Sequence, residues 1–231
     1  MTKIGFGSFQ IPKLERKIVY KSGVQKIVGW PIQEEGFARV IGIRTSENKC
    51  RKIVGVGLGK TGTTSLAYCL TYLGYRHQWY DPDVQLSFQK NRKAVLEILS
   101  NKDSCEDFPW PYLYQDIDEI YPDSKFILTL RKDPETWYAS LCKHFDRGGT
   151  NQQKQIAYGY STPRGFKKEH IDLYLKHAQA VQNHFSDRPD KLLVVCWENG
   201  DGWREICRFL GHSEPNISFP HANKAPNWQN T

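Results

Sequence analysis

The amino-acid sequence predicts an α/β protein: a parallel sheet with helices on both faces, three layers in all, preceded by a small N-terminal β-hairpin or meander. Three observations predict it. Continuous apolar runs, KIVGVG (52–57), KFILTL (125–130) and KLLVVC (191–196), read as strands buried on both faces. Helical stretches separate them, the alternation that joins parallel strands through crossover helices. The first 50 residues break that pattern, with short β-prone runs interrupted at Ser22-Gly23 and at Glu34-Glu35-Gly36.

The division expected is therefore a small β extension or flap over 1–50 and one α/β domain over 51–231. A chain of 231 residues, 39% of them apolar, supports one such domain. No apolar run reaches the length of a membrane span and the N-terminus carries no signal-peptide pattern, so a cytoplasmic protein with no membrane partner is expected. The six cysteines are scattered without a CxxC pair, which suits small buried side chains and argues against a disulfide scaffold or zinc site. The net charge of +7 suits an anionic ligand. The Lys and Arg residues are dispersed, with no basic-aromatic array, and nucleic acid ranks last among partners.

Along the chain, the helix after the first strand carries Leu66, Leu70 and Leu73 on one face and stops at Gly74. YRHQWY (75–80) reads as a second strand. Residues 84–100 read as helical with a polar middle, and 110–123 as a short helix ended near Pro122. Asp133-Pro134 supplies an N-cap and a first-turn proline for a helix through about Phe145. The polar, glycine-rich stretch 147–165 predicts a mobile loop or lid. A helix over about 167–185, the third apolar strand and a last helix closed by Gly211 complete the domain, and the tail is irregular.

Chemistry concentrates between the first strand and its helix. Gly57-Leu58-Gly59-Lys60-Thr61-Gly62-Thr63-Thr64 keeps the two glycines of the G-x-x-x-x-G-K-[ST] phosphate loop at their usual spacing. Glycines let the backbone curl so that successive N–H groups point inward, and the helix N-terminus behind adds positive partial charge. Hydroxyls of Thr61, Thr63 and Thr64 are further candidate donors. Yet Thr63 stands where a nucleotide hydrolase has its lysine, and the lysine is displaced to Lys60. No clear acid ends an apolar strand to hold magnesium, Glu198 being the exception, so no metal is expected. The fold expected is thus a three-layer, P-loop-type sheet.

GLGKTGTTS resembles the 5′-phosphosulfate loop of the sulfotransferases that use 3′-phosphoadenosine 5′-phosphosulfate (PAPS) as co-substrate. The resemblance implies that Lys60 contacts the phosphosulfate and steadies the leaving phosphate as the sulfuryl group departs. KFILTLRKDPETWYASL (125–141) is similar to that family's 3′-phosphate site, which implies a role for Arg131 and Ser140. Independently, Arg131 ends a parallel strand where side chains reach the crevice beside the loop, and its fork suits a phosphate dianion. The stretch 200–228 is similar to the C-terminal end of bacterial and fungal-type members, which implies that His221, Asn223 and Lys224 reach nucleotide or substrate. The Arg-Lys-Gly nucleotide segment of the animal cytosolic members is not evident here.

Sulfuryl transfer to a hydroxyl needs a base. Asp107 in SCEDFPWPYLY is the first candidate, because an acid flanked by Phe108, Pro109 and Trp110 sits in a partly apolar wall that raises its pKa. Glu106, His77 and His144 remain alternatives, and a helix-capping role for Asp107 competes. Trp79-Tyr80, Phe108-Pro109-Trp110 and Trp137-Tyr138 are candidate linings of an acceptor pocket. A small molecule that accepts the sulfuryl group on a hydroxyl or amine is the expected partner. Two rival functions stay open: a small-molecule kinase with an atypical loop, and a non-catalytic nucleotide-binding module.

Overall fold

The protein, seen as a computed structural model, is described over residues 16–20, 23–27, 51–149 and 152–222. The chain divides into two units, Met1–Ile41 and Gly42–Thr231. In the first, β1 (Arg16–Tyr20) and β2 (Gly23–Ile27) form an antiparallel hairpin with Tyr20 opposite Gly23. Gly23, read from the sequence as part of a break, is the first residue of β2. The remainder of the expected extension lies outside the described residues.

Among its described residues the second unit holds five parallel strands: β3 (Ile53–Gly55), β4 (His77–Gln78), β5 (Ser104–Cys105), β6 (Lys125–Thr129) and β7 (Leu192–Val195), in the order β4-β5-β3-β6-β7. Side-chain alternation builds the three layers. Val54, Phe126 and Leu128 face Leu113, Ile117, Val181 and Phe185 on one side of the sheet. Ile53, Ile127 and Val195 face Leu66, Leu70, Ile206 and Leu210 on the other.

The helices are α1 (Thr63–Tyr72), α2 (Pro82–Ser87), α3 (Arg92–Ile98), α4 (Tyr114–Ile120), α5 (Pro134–Gly148), α6 (Gln152–Tyr158), α7 (Lys167–His184) and α8 (Trp203–Leu210). Three differ from expectation. The helical stretch 84–100 is split in two, because the Asn91 side chain accepts the Ala94 N–H at 3.0 Å and starts α3 afresh. Helix α5 begins where Asp133 accepts the Thr136 N–H at 2.6 Å, but runs a turn past Phe145. The expected lid over 147–165 contains α6 and is anchored. Tyr158 is buried beside Trp137 and Phe145. Tyr112 Oη donates to the Ala157 carbonyl at 2.9 Å, and Tyr138 Oη to the Pro163 carbonyl at 2.9 Å. Lys154 Nζ donates to the carbonyls of His144 (3.2 Å) and Gly149 (2.6 Å), capping the end of α5.

From the central β3 the chain crosses to the edge strand β4, returns inward to β5 beside β3, and then passes to the other side through β6 and β7. The crevice beyond the carboxyl ends of β3 and its neighbours is the switch point where open α/β sheets bind ligands. The loop before α1 opens there. No described helix is long and apolar enough to cross a membrane.

Candidate functional site

The loop from Val56 to Gly62 is held from beneath. The Val56 N–H donates to the Ile127 carbonyl at 2.8 Å, and the Val56 carbonyl accepts from His177 Nε2 at 2.7 Å. Gly57 lies so close to the end of β6 that a Cβ there would meet Thr129 Oγ1 at 2.0 Å. Gly62 has φ +93°, and a Cβ there would meet Trp197 Cδ1 at 2.4 Å, while Trp197 Nε1 donates to the Gly62 carbonyl at 3.1 Å. Trp137 Nε1 donates to the Gly59 carbonyl at 3.0 Å. Gly62→Ala combines left-handed strain with that clash and is expected to cost about 2 kcal/mol or more of stability, read from urea unfolding.

The threonines divide. The Thr61 hydroxyl is committed inside the loop, 2.7 Å from the Leu58 carbonyl and 2.6 Å from Thr129 Oγ1, so it supports the curl instead of facing outward. Thr63 is buried and Thr64 half-buried at the first turn of α1, whose leading N–H groups have no intrahelical acceptors. Those amides, with the helix dipole, favour an anion in front of the loop.

Lys60 and Asp107 face each other across this site. Among the described residues they are the two non-glycines with left-handed φ, +77° and +60°. Such backbones are kept where neighbours hold them in place, and they cluster at functional sites. Partial burial lowers the Lys60 pKa, Asp107 opposes that shift, and Arg147 and Arg131 add to it. Burial and then the Glu106 charge push Asp107 up to about 7, against the Phe108 N–H bond to its Oδ1 (2.8 Å) and against Lys60. That Oδ1 would lie 3.0 Å from a Cβ on Gly59, and Tyr158 Oη 2.4 Å from the same point, so acid, phenol and loop converge.

Arg131 reaches the same crevice. Its Nη1 donates to the Lys60 carbonyl at 3.2 Å, while Nε and Nη2 fork onto Glu198 at 2.9 and 2.8 Å. Glu198 also accepts the Lys132 N–H at 3.0 Å. Burial works against the Glu198 charge, but these bonds hold its carboxyl below the usual range. Ser140 is half-buried on α5, at helical spacing from His144 and Arg147. Burial, then Lys60, Lys154 and Arg147, push His144 down to about 4, which makes it a weak proton acceptor.

His77 sits apart, buried on β4 among Ser104, Glu106 and the Trp79 ring. Asn223 and Lys224 lie outside the described residues. His221 contacts the Phe219 ring edge-on and, with Trp197 and Trp203, lines a cavity of about 460 Å³. Trp110 and Trp137 belong to the core, whereas Phe108 lines a groove of about 690 Å³. Phe88, Phe108 and Tyr112 pack edge-to-face as one wall of it, with Tyr158 and Leu173 among the remaining lining.

Several contributors escape sequence reasoning. Tyr158 and His177 have no local signal, since one hides in a polar stretch and the other on an ordinary helix. Trp197 stands just beyond the carboxyl end of β7, after Cys196, the same positional rule that singled out Arg131. No group of three His, Cys, Asp or Glu among the described residues is placed to hold a metal ion.

The profile of the family described as "Sulfotransferase domain" matches residues 52–162 and 150–228, the greater part of the chain. A fungal relative, the Ava biosynthesis cluster protein M of Aspergillus versicolor, is 22% identical over 211 residues, covering 74% of this chain and 80% of that protein.

Proposed function

The chain belongs to the sulfotransferase-domain family, and from that premise we propose that it moves a sulfuryl group from PAPS to a hydroxyl or amine of a small-molecule acceptor. One observation supports the reading: the Arg131 guanidinium touches the Lys60 carbonyl, so the two cationic residues stand together beside the loop. The donor set fits a doubly anionic adenosine ligand, with Lys60 and the α1 amides for one anionic end and Arg131 for the other. Thr64, Gly59 and Gly62 shape the loop end of that site, and Ser140 the arginine end. The bound donor supplies the activated sulfuryl group and a phosphate leaving group.

The chain supplies the rest. Lys60 and the loop amides neutralise charge on the departing phosphate oxygen. Asp107 takes the acceptor proton, and the aromatic groove beside Phe108 holds the acceptor ring or chain out of water. His144 is a poorer base, and His77 stands behind Glu106. The kinase alternative needs an acid free to hold magnesium, and Glu198 is committed to Arg131. Five described cysteines are buried free thiols, which suits a reducing compartment such as the cytoplasm.

Calorimetry with 3′,5′-adenosine bisphosphate in the absence of metal tests the reading. Tight binding is expected, weakened at least tenfold, about 1.4 kcal/mol, by Arg131→Ala. Glu198→Gln releases the arginine fork from a competing carboxylate and is expected to tighten binding. Tight binding of magnesium-ATP with no response to the bisphosphate would overturn the proposal.

A further inference from the structure

Behind Asp107 lies a buried polar pair. His77 Nδ1 is 2.9 Å from Ser104 Oγ, and His77 Nε2 is 3.8 Å from Glu106 Oε1. Both side chains are buried. Among the described residues, neither His77 Nε2 nor Glu106 Oε2 has a hydrogen-bond partner. An orphaned buried ring nitrogen is costly, and an orphaned oxygen on the neighbouring buried carboxyl more so. An approach of under 1 Å would turn the contact into a charge-assisted hydrogen bond. Glu106 itself cannot retreat: a Cβ on Gly55 would already meet Glu106 Cβ at 2.7 Å, so its backbone is wedged against β3. The next residue is Asp107, with its left-handed backbone.

We propose that His77 and Glu106 form a buried hydrogen-bonded pair that positions Asp107 and keeps a fixed negative charge behind it. The pair rests on the reading of Asp107 as the base and deepens it. In this pair the ring proton sits on Nε2 facing Glu106, and Nδ1 then accepts from the Ser104 hydroxyl. The charged and titratable groups facing Asp107 are then Glu106 from the end of β5, Lys60 from the loop, Tyr112 from the turn before α4 and Tyr158 from α6. Of these, Glu106 is the carboxylate, and it alone disfavours a second negative charge at Asp107. His77 and Glu106 are positioning residues; the substrate contact is left to Asp107.

The spectroscopic part of the test needs only the folded protein. Ring ¹⁵N shifts of His77 in the wild type are expected to show the proton on Nε2, and a proton on Nδ1 would overturn the proposal without any variant. The ¹³C carboxyl titration of Asp107 is expected to move about one pH unit lower in Glu106→Gln. It should move the same way in His77→Phe, which keeps a ring but removes the donor, so that Glu106 is no longer held beside Asp107. The acid limb of the transfer rate should follow both, with bisphosphate affinity unchanged. A carboxyl titration that stays put in both variants rejects the pair and leaves the base assignment standing. A titration that shifts while the rate profile does not supports the pair and removes Asp107 as the base.

Discussion

Lys60→Ala is expected to lower kcat for sulfuryl transfer by about 10²–10³-fold, the usual loss when one donor to a developing oxyanion is removed. The loss should fall on kcat more than on acceptor KM, because the charge the lysine neutralises grows only as the bond to sulfur breaks. Bisphosphate affinity should fall as well. The substitution is a fair test because alanine suffers the φ of +77° no more than lysine does. Lys60→Gly relieves that strain and should unfold at the same or higher temperature while remaining as inactive. Lys60→Arg is not expected to rescue. The ammonium is a compact point charge in a partly buried pocket already near Arg131 and Arg147, and a guanidinium needs a wider fork. A Lys60→Ala variant with wild-type kcat would show that the loop amides suffice.

What was legible in the sequence is what short-range pattern encodes. The apolar runs around Ile53 and Phe126 have no polar alternation because both their faces are covered, and that marks them as central strands; the run around Val195 misled on this point, because β7 is an edge strand that leaves Val194 exposed. The loop was legible because its glycines stand where other chain comes too close for a Cβ, Thr129 at Gly57 and Trp197 at Gly62. Strand β5 was not, since Ser104 and Cys105 are two residues fixed by pairing with β3 and β4. Helix α6 was hidden because the average polarity of 147–165 masks Ile156, Ala157 and Tyr158, the part that packs. The fork between Arg131 and Glu198 spans 67 residues, and no local rule announces a pair that distant. For the same reason the acid weighed as a metal ligand proves to be the partner of the cation beside it.

Asp107→Asn is expected to lower transfer by about 10²–10⁴-fold, the range of a general base, while bisphosphate affinity changes little. The wild-type rate should rise with pH through about 7, where Asp107 loses its proton, and fall again below the ordinary lysine range as Lys60 does. The Asn variant should lose the acid limb and keep the alkaline one, which a merely structural residue would not do. Stability supplies a second reading with a definite sign. The unfolded carboxyl ionises near pH 4 and the folded one at about 7, so over that window the native state binds more protons. Wild-type stability should therefore decline from about pH 4 to about pH 7 and level off above it. Asp107→Asn removes that decline and should be the more stable protein at pH 8. On the proposed reading, a single carboxyl held against its preference weakens the fold at the pH where it would work, in exchange for a base matched to the proton it would take. Retained turnover in Asp107→Asn, or a wild-type rate flat between pH 5 and 8, would move the base elsewhere in the crevice.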